Sequence, residues 1–243
     1  MAGHSHAANI QFKKGANDAK KAKIFTKIAR DIAVAAKNGL ADPELNPKLK
    51  IAVMKARVYN MPKDRIEQAI AKANKDTTNY ENVRYNAFFE QGISLIIEGL
   101  TDNKNRTASD IRGTLAKFDG SLTTTGGVEF AYTHIGRIIY PSDVCVEDKM
   151  FENALNAGAD DVYKDGDCYV VETTLENMLA VSKELANVLG KEPQEVGWFW
   201  KANDYIEIKD KVFAEKFENL VDALDDLDDV TEIYTNAEVV TEN

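Results

Sequence analysis

Seven cations stand close together near the start of this chain, with a single acid among them. Lys13, Lys14, Lys20, Lys21, Lys23, Lys27 and Arg30 surround only Asp18. Lys20, Lys23, Lys27 and Arg30 recur at three- and four-residue spacing, which places them on one face of a helix. A solvated helix face normally mixes signs to gain i,i+4 ion pairs, and this one hardly does. A stripe of one sign suits one chemistry well: contact with the phosphates of a nucleic acid and release of their counterions. The bland alternative is a basic face that is merely solvated, or one that docks on the chain's own acidic parts. If about five of these residues touch phosphates, the salt slope on duplex DNA should be about -4 to -5.

Lys104 and Arg106 form a weaker second candidate. They sit in Thr101-Asp102-Asn103-Lys104-Asn105-Arg106-Thr107, which opens a helix whose free N–H groups favour anions. The competing reading is plain capping of that helix by Thr101, Asp102 or Asn103. The loop Thr123-Thr124-Thr125-Gly126-Gly127 lacks the spacing of a nucleotide-binding loop. The run Asp222 to Asp229 has no turn Gly and no closing Glu for calcium, and reads as an acidic, solvated helix end. His4-Ser5-His6 has no third ligand nearby, so no metal site is expected. Cys145 and Cys168 have no Cys-x-x-Cys spacing and read as buried thiols in a reducing compartment. No Ser/His/Asp or Cys/His constellation stands out. The residues therefore point away from an enzyme, from a cofactor and from a small-molecule substrate.

The elements that position these residues follow from charge and periodicity. The chain has 243 residues and a net charge of -10, split unevenly. Residues 1–75 hold 16 Lys/Arg and 6 Asp/Glu, so +10, which leaves -20 for 76–243. Two bodies of opposite sign suggest two partners, or one partner and a shield. Ile24, Phe25, Ile28, Ile32 and Ala35 line one helix, which Gly39 stops. Asn46-Pro47 supplies an N-cap and first helical residue for a second, and Ile66, Ala69, Ile70 and Ala73 line a third. These make a small bundle, and the polar stretch 73–79 reads as a linker. Met1 to Phe12 reads as a flexible arm.

After the linker the period shortens. Strands are expected at 93–98 and 128–133 around a helix at 104–118. A β-α-β-β-α-β unit follows over 137–200, with a hairpin around Lys164-Asp165-Gly166-Asp167. A last β-α-β runs over 205–234. The two outer β-α-β halves should join into one domain, with the strands near Thr133 and Tyr205 in one sheet. The fold class is α+β and multidomain: an N-terminal helical bundle, then two ferredoxin-like βαββαβ domains, one inserted in the other. The boundaries are 1–80 for the basic helical domain, 81–134 plus 204–243 for the split domain, and 135–203 for the insert. Trp198 and Trp200 share a strand face and should be packed or interfacial. No apolar run is long enough to span a bilayer, and no secretory signal opens the chain.

Several stretches taken together resemble a known family. They are Met-Ala-Gly-His-Ser at 1–5, Lys-Gly-Ala at 14–16, Asp-Ala-Lys at 18–20, Lys-Ile-Phe-Thr-Lys at 23–27 and Asn-Met-Pro-Lys-Asp at 60–64. Further along come Leu-Thr-Asp-Asn-Lys-Asn-Arg-Thr at 100–107, Ala-Gly-Ala-Asp-Asp at 157–161 and Leu-Asp-Asp-Val at 227–230. In order and extent they resemble the YebC/PmpR family, a resemblance that covers nearly the whole chain. It implies a three-domain build and a probable transcriptional regulator that binds DNA. Mitochondrial relatives look like translational activators, and some bacterial relatives are associated with stalled ribosomes. The resemblance therefore also leaves open a translation factor that binds ribosomal RNA on the ribosome. The acidic domains could then meet basic proteins. His6-Ala7 replaces the family's usual Lys-Trp, and Ala87 to Gly92 replaces a Gly/Pro-rich turn. The start on the family motif makes the chain look like a bacterial cytoplasmic member.

Overall fold

The computed structural model describes residues 18–73, 78–124 and 126–240. The expected arm at 1–12, Lys13 and Lys14, and the centre of the expected linker lie outside the described residues. In chain order the elements are α1 (Asp18–Lys37), α2 (Pro47–Val58), α3 (Lys63–Lys72), β1 (Glu81–Phe88), β2 (Ser94–Thr101), α4 (Lys104–Ala116) and β3 (Ser121–Thr123). They continue with β4 (Tyr132–Pro141), α5 (Glu147–Asn156), β5 (Asp161–Asp165), β6 (Cys168–Thr173), α6 (Met178–Leu189) and β7 (Glu195–Ala202). The last are β8 (Ile206–Ile208), α7 (Lys211–Asp225), β9 (Val230–Thr235) and β10 (Ala237–Val239). The architecture is mixed α+β with antiparallel sheets. The chain divides into two compact units: residues 24–73 with 134–199, and residues 18–23 with 78–133 and 200–240.

In the first unit, Ile28, Ile32 and Ala36 of α1 meet Leu49, Val53 and Ala56 of α2 and Ile66 and Ala69 of α3 in one core. The α1–α2 connection depends on Asn46. Its side chain accepts from the Leu49 N–H at 3.2 Å and donates to the carbonyls of Ala35 (2.9 Å) and Leu40 (2.8 Å). Pro47 follows as the first helical residue, where its missing N–H costs nothing. Gly39 is required for a steric reason, since a Cβ there would lie 2.6 Å from the Asn46 amide nitrogen.

The same unit holds a four-stranded sheet, order β5-β6-β4-β7, built by the succession β4-α5-β5-β6-α6-β7. Gly166 makes the expected hairpin turn with φ 56°. Ile138, Tyr140, Val171 and Val196 of the strands pack with Met150, Ala154, Val181 and Leu185 of α5 and α6. Opposite Glu172 in register stands Arg137, and both are buried. The Arg137 guanidinium lies 4.0 Å from the centre of the Phe199 ring and donates to Glu195 at 3.2 Å. Tyr163 donates to Glu172 at 2.9 Å. Charge taken out of water is thus paired and stacked. Cys145 and Cys168 are half-buried free thiols rather than fully buried ones: Cys145 lies in the connection between β4 and α5, and Cys168 is the first residue of β6.

The second unit differs from the expected pair of joined β-α-β halves. Its sheet has the order β3-β1-β2-β9. Strand β1 is additional to the strands expected from the sequence, because Asn82, Arg84 and Asn86 alternate on one face and hide a strand inside a polar stretch. It pairs antiparallel with β2 from Glu81↔Thr101 to Phe88↔Ser94. Residues 128–133 are not a strand of this sheet: Glu129–Ala131 is a 3-10 turn, and Tyr132 already begins β4. Strand β8 pairs with β10 rather than with this sheet. The strands near Thr133 and Tyr205 therefore do not share one sheet. Residues 78–133 and 200–240 are joined instead through the β2–β9 ladder. Strand β2 is central, and its run Leu95-Ile96-Ile97 is buried on both faces. Helices α4 and α7 pack together, burying Ile111, Leu115, Phe217, Leu220 and Leu224.

Candidate nucleic-acid interface

Helix α1 keeps its apolar stripe inward and its cations outward. Ile28 and Ile32 are buried, whereas Lys21 and Lys23 are exposed and Lys27 and Arg30 half-buried. Lys20 lies in the first turn of the same helix. The helix therefore brings Lys20, Lys21, Lys23, Lys27 and Arg30 together on one element. Lys23 has an anionic partner within the second unit. The Lys23 Nζ stands 3.2 Å from the backbone carbonyl of Asp226 and 3.7 Å from its carboxylate. Asp226 is the C-cap of α7, a helix end that favours cations.

Lys104 and Arg106 sit elsewhere, at the start of α4. Asn103 caps this helix, its side-chain oxygen accepting from the Arg106 N–H at 3.1 Å. Lys104 pairs with Glu81 at 2.6 Å, and that hydrogen bond holds its ammonium pKa above the ordinary lysine value. The Arg106 guanidinium donates to Asp229 at 2.6 Å and to Asp102 at 2.7 Å, and these two carboxylates raise its pKa further. Both cations are paired with carboxylates of the chain.

Asp229 was not singled out in the sequence. The sequence places it in an acidic run expected to be solvated, yet it is buried. Its carboxylate oxygen Oδ2 accepts from Thr101 Oγ1 at 3.0 Å and Thr107 Oγ1 at 2.8 Å as well as from Arg106. Burial pushes its pKa up, but these donors outweigh burial and hold it below the usual carboxylate range. Its backbone carbonyl accepts from the Leu100 N–H at 2.8 Å. That carbonyl comes so near Gly99 that a Cβ there would lie 2.6 Å from it, at a β-bulge. The stretches 100–107 and 227–230 therefore meet. Both stretches stand among those that carry the family resemblance, which was the signal available in the sequence.

Other polar groups of this unit are also internally matched. Arg84 stands opposite Glu98 in register, donates to it at 2.9 Å and lies 4.6 Å from the centre of the Trp200 ring. Trp200 Nε1 donates to the same carboxylate at 3.2 Å. Trp200 is thus packed, and Trp198 is part exposed. Lys216 bridges Glu90 and Asp119 across two turns whose residues Gln91 and Asp119 have positive φ. Tyr132 and Ser94 share a buried hydroxyl contact of 2.9 Å, and burial pushes the Tyr132 phenol up to about 12. In the Thr123–Gly127 loop the Gly127 N–H already donates to the Thr124 carbonyl at 2.9 Å. Among the described residues no group of three or more His, Cys, Asp or Glu could hold a metal ion. Among them, too, no helix is long and apolar enough to cross a membrane.

A basic helix on a three-helix bundle, followed by acidic α+β sheets, defines the class of protein. Two family models match this chain. Residues 5–76 match the TACO1/YebC protein N-terminal domain, and residues 80–237 match the TACO1/YebC second and third domain. A solved structure, described as that of a conserved hypothetical protein Aq1575 from Aquifex aeolicus, is 33% identical. The alignment covers 98% of each chain at a TM-score of 0.85. The chain belongs to the TACO1/YebC family.

Proposed function

We propose that this protein is a non-enzymatic, nucleic-acid-binding regulator of gene expression that acts in the cytoplasm on DNA. The observation that carries the reading is the stripe of like charge on α1. Lys21 and Lys23 are exposed, and Lys27 and Arg30 half-buried, on a helix whose apolar side is committed to the bundle core. Phosphates are the ligand class such a stripe attracts, without need of a cofactor or a small-molecule substrate. The polar clusters elsewhere in the described residues are paired among themselves, which supports a binding role over a catalytic one.

One observation favours a second reading, a ribosome-associated translation factor that binds ribosomal RNA. Residues 141–243 hold 8 Lys/Arg and 26 Asp/Glu, so -18. That segment repels bare duplex DNA but can face basic proteins, which a ribosome presents beside its RNA. Crosslinking from the Lys20–Lys27 segment in cells, followed by sequencing of the attached polymer, separates the two. Recovery of genomic DNA supports the transcriptional reading and recovery of ribosomal RNA the translational one. Recovery of neither at more than background sinks both.

A further inference from the structure

The contact between Lys23 and Asp226 bears on how the basic stripe is used. The Lys23 ammonium meets two acceptors on one residue, the Asp226 carbonyl at 3.2 Å and its carboxylate at 3.7 Å. A phosphate oxygen would need the same donors. Both side chains are about half exposed, 50% and 53%, so the pair can open without unpacking any core. Asp226 stands in the run Asp222-Ala223-Leu224-Asp225-Asp226-Leu227-Asp228, on the more acidic side of the charge split. We infer that the Asp226 end of α7 is a built-in competitor that occupies Lys23 in the free protein and must be displaced by the phosphates of the target. This rests on the nucleic-acid reading above and adds a regulatory contact to it.

The consequence is a penalty on weak, non-specific binding. Any polymer that engages the whole stripe must break the Lys23–Asp226 pair, and only one offering a better-placed phosphate recovers the loss. An exposed pair of this kind is worth about 0–1 kcal/mol, which corresponds to a change in affinity of up to about fivefold. Salt weakens both the internal pair and the external contacts, since the screening length is about 10 Å at 0.1 M. The competitor therefore matters most at low salt.

The test is a double-mutant cycle on the full chain, read by fluorescence anisotropy. The probes are a labelled mixed-sequence duplex DNA and the same sequence as single-stranded RNA. The variants are Lys23→Gln, Asp226→Asn, the two combined, and Glu147→Gln. The last makes the same charge change on the other compact unit. The expected result is that Asp226→Asn tightens binding about two- to fivefold at about 0.05 M salt while Lys23 is present. In the Lys23→Gln background its effect should fall to that of Glu147→Gln. Equal effects of Asp226→Asn and Glu147→Gln in both backgrounds would show that net charge alone acts, and would overturn the inference while leaving the binding reading intact. No binding of either probe by any variant would overturn the binding reading itself, and the competitor with it.

Discussion

Replacing Asp229 should loosen the second unit by an amount that its partners allow to be worked out. Its carboxylate receives two buried hydroxyls, Thr101 at 3.0 Å and Thr107 at 2.8 Å, and the more exposed Arg106. Hydrogen bonds to a charged acceptor contribute roughly 1.5 kcal/mol each at the low end, so the two hydroxyls bring about 3 kcal/mol. Asp229→Ala strands both, but not fully. Thr107 retains the Asn103 carbonyl at 3.1 Å, and the two hydroxyls lie 2.8 Å apart. Recovery of about 1 kcal/mol leaves a net loss of about 2 kcal/mol for Asp229→Ala, and about half that for Asp229→Asn, which keeps an acceptor. Arg106 adds nothing to this figure, because it keeps Asp102 at 2.7 Å. Urea unfolding followed by Trp200 fluorescence, in a Trp198→Phe background, reads the unit directly. The pH dependence has a definite sign. The folded carboxyl lies below its ordinary value, so its contribution is complete above the unfolded pKa of about 3.9 and is lost as pH falls through the depressed folded value. The gap between wild type and Asp229→Asn should be constant above about pH 5 and narrow below pH 4. A loss under about 0.5 kcal/mol, or a gap unchanged into acid, would refute the reasoning.

Two further outcomes follow from the same geometry. Asn46→Ala removes an N-cap and two carbonyl partners at once, and should destabilise the helical bundle by about 2 kcal/mol in urea unfolding read by circular dichroism. Lys216→Met removes the bridge between Glu90 and Asp119 and should lower the unfolding midpoint of the second unit. The hydrogen bonds that Lys216 donates to Asp119 and Glu90 raise its pKa, so the difference should be full below about pH 10 and fade as pH rises through the folded value.

The helices of the bundle were legible because Ile24, Ile28 and Ile32 keep helical spacing and Asn46-Pro47 marks a helix start. The hairpin at Gly166 and the helices α5, α6 and α7 were legible for similar local reasons. Strand β1 was not, since its polar alternation makes sense only once Glu98 stands opposite Arg84 and the Trp200 ring lies against its guanidinium. The segment 128–133 misled for the converse reason. Its β-favouring residues serve a turn in which Val128 and Tyr132 are buried while Phe130 points out, at 80% exposure. The one-sign stripe on α1 was visible at once, because its members are neighbours along one helix. The Asp229 cluster was invisible, because Arg106 lies 123 residues away and only the fold brings the two together. The same separation hid from the sequence that Arg106 has Asp229 as a partner.

The central claim is that α1 meets phosphates. The measurement that tests it most directly is the slope of log affinity against log salt for wild type and for Lys20→Gln, Lys23→Gln, Lys27→Gln and Arg30→Gln combined. Each lost contact should flatten the slope by about 0.9 on duplex DNA, or by about 0.7 on a single strand. The account predicts a flattening of about 3 to 4 on duplex DNA, with folding unchanged by circular dichroism. Equal slopes for wild type and the fourfold variant would contradict it, and would place the phosphate contacts, if any, on another part of the chain.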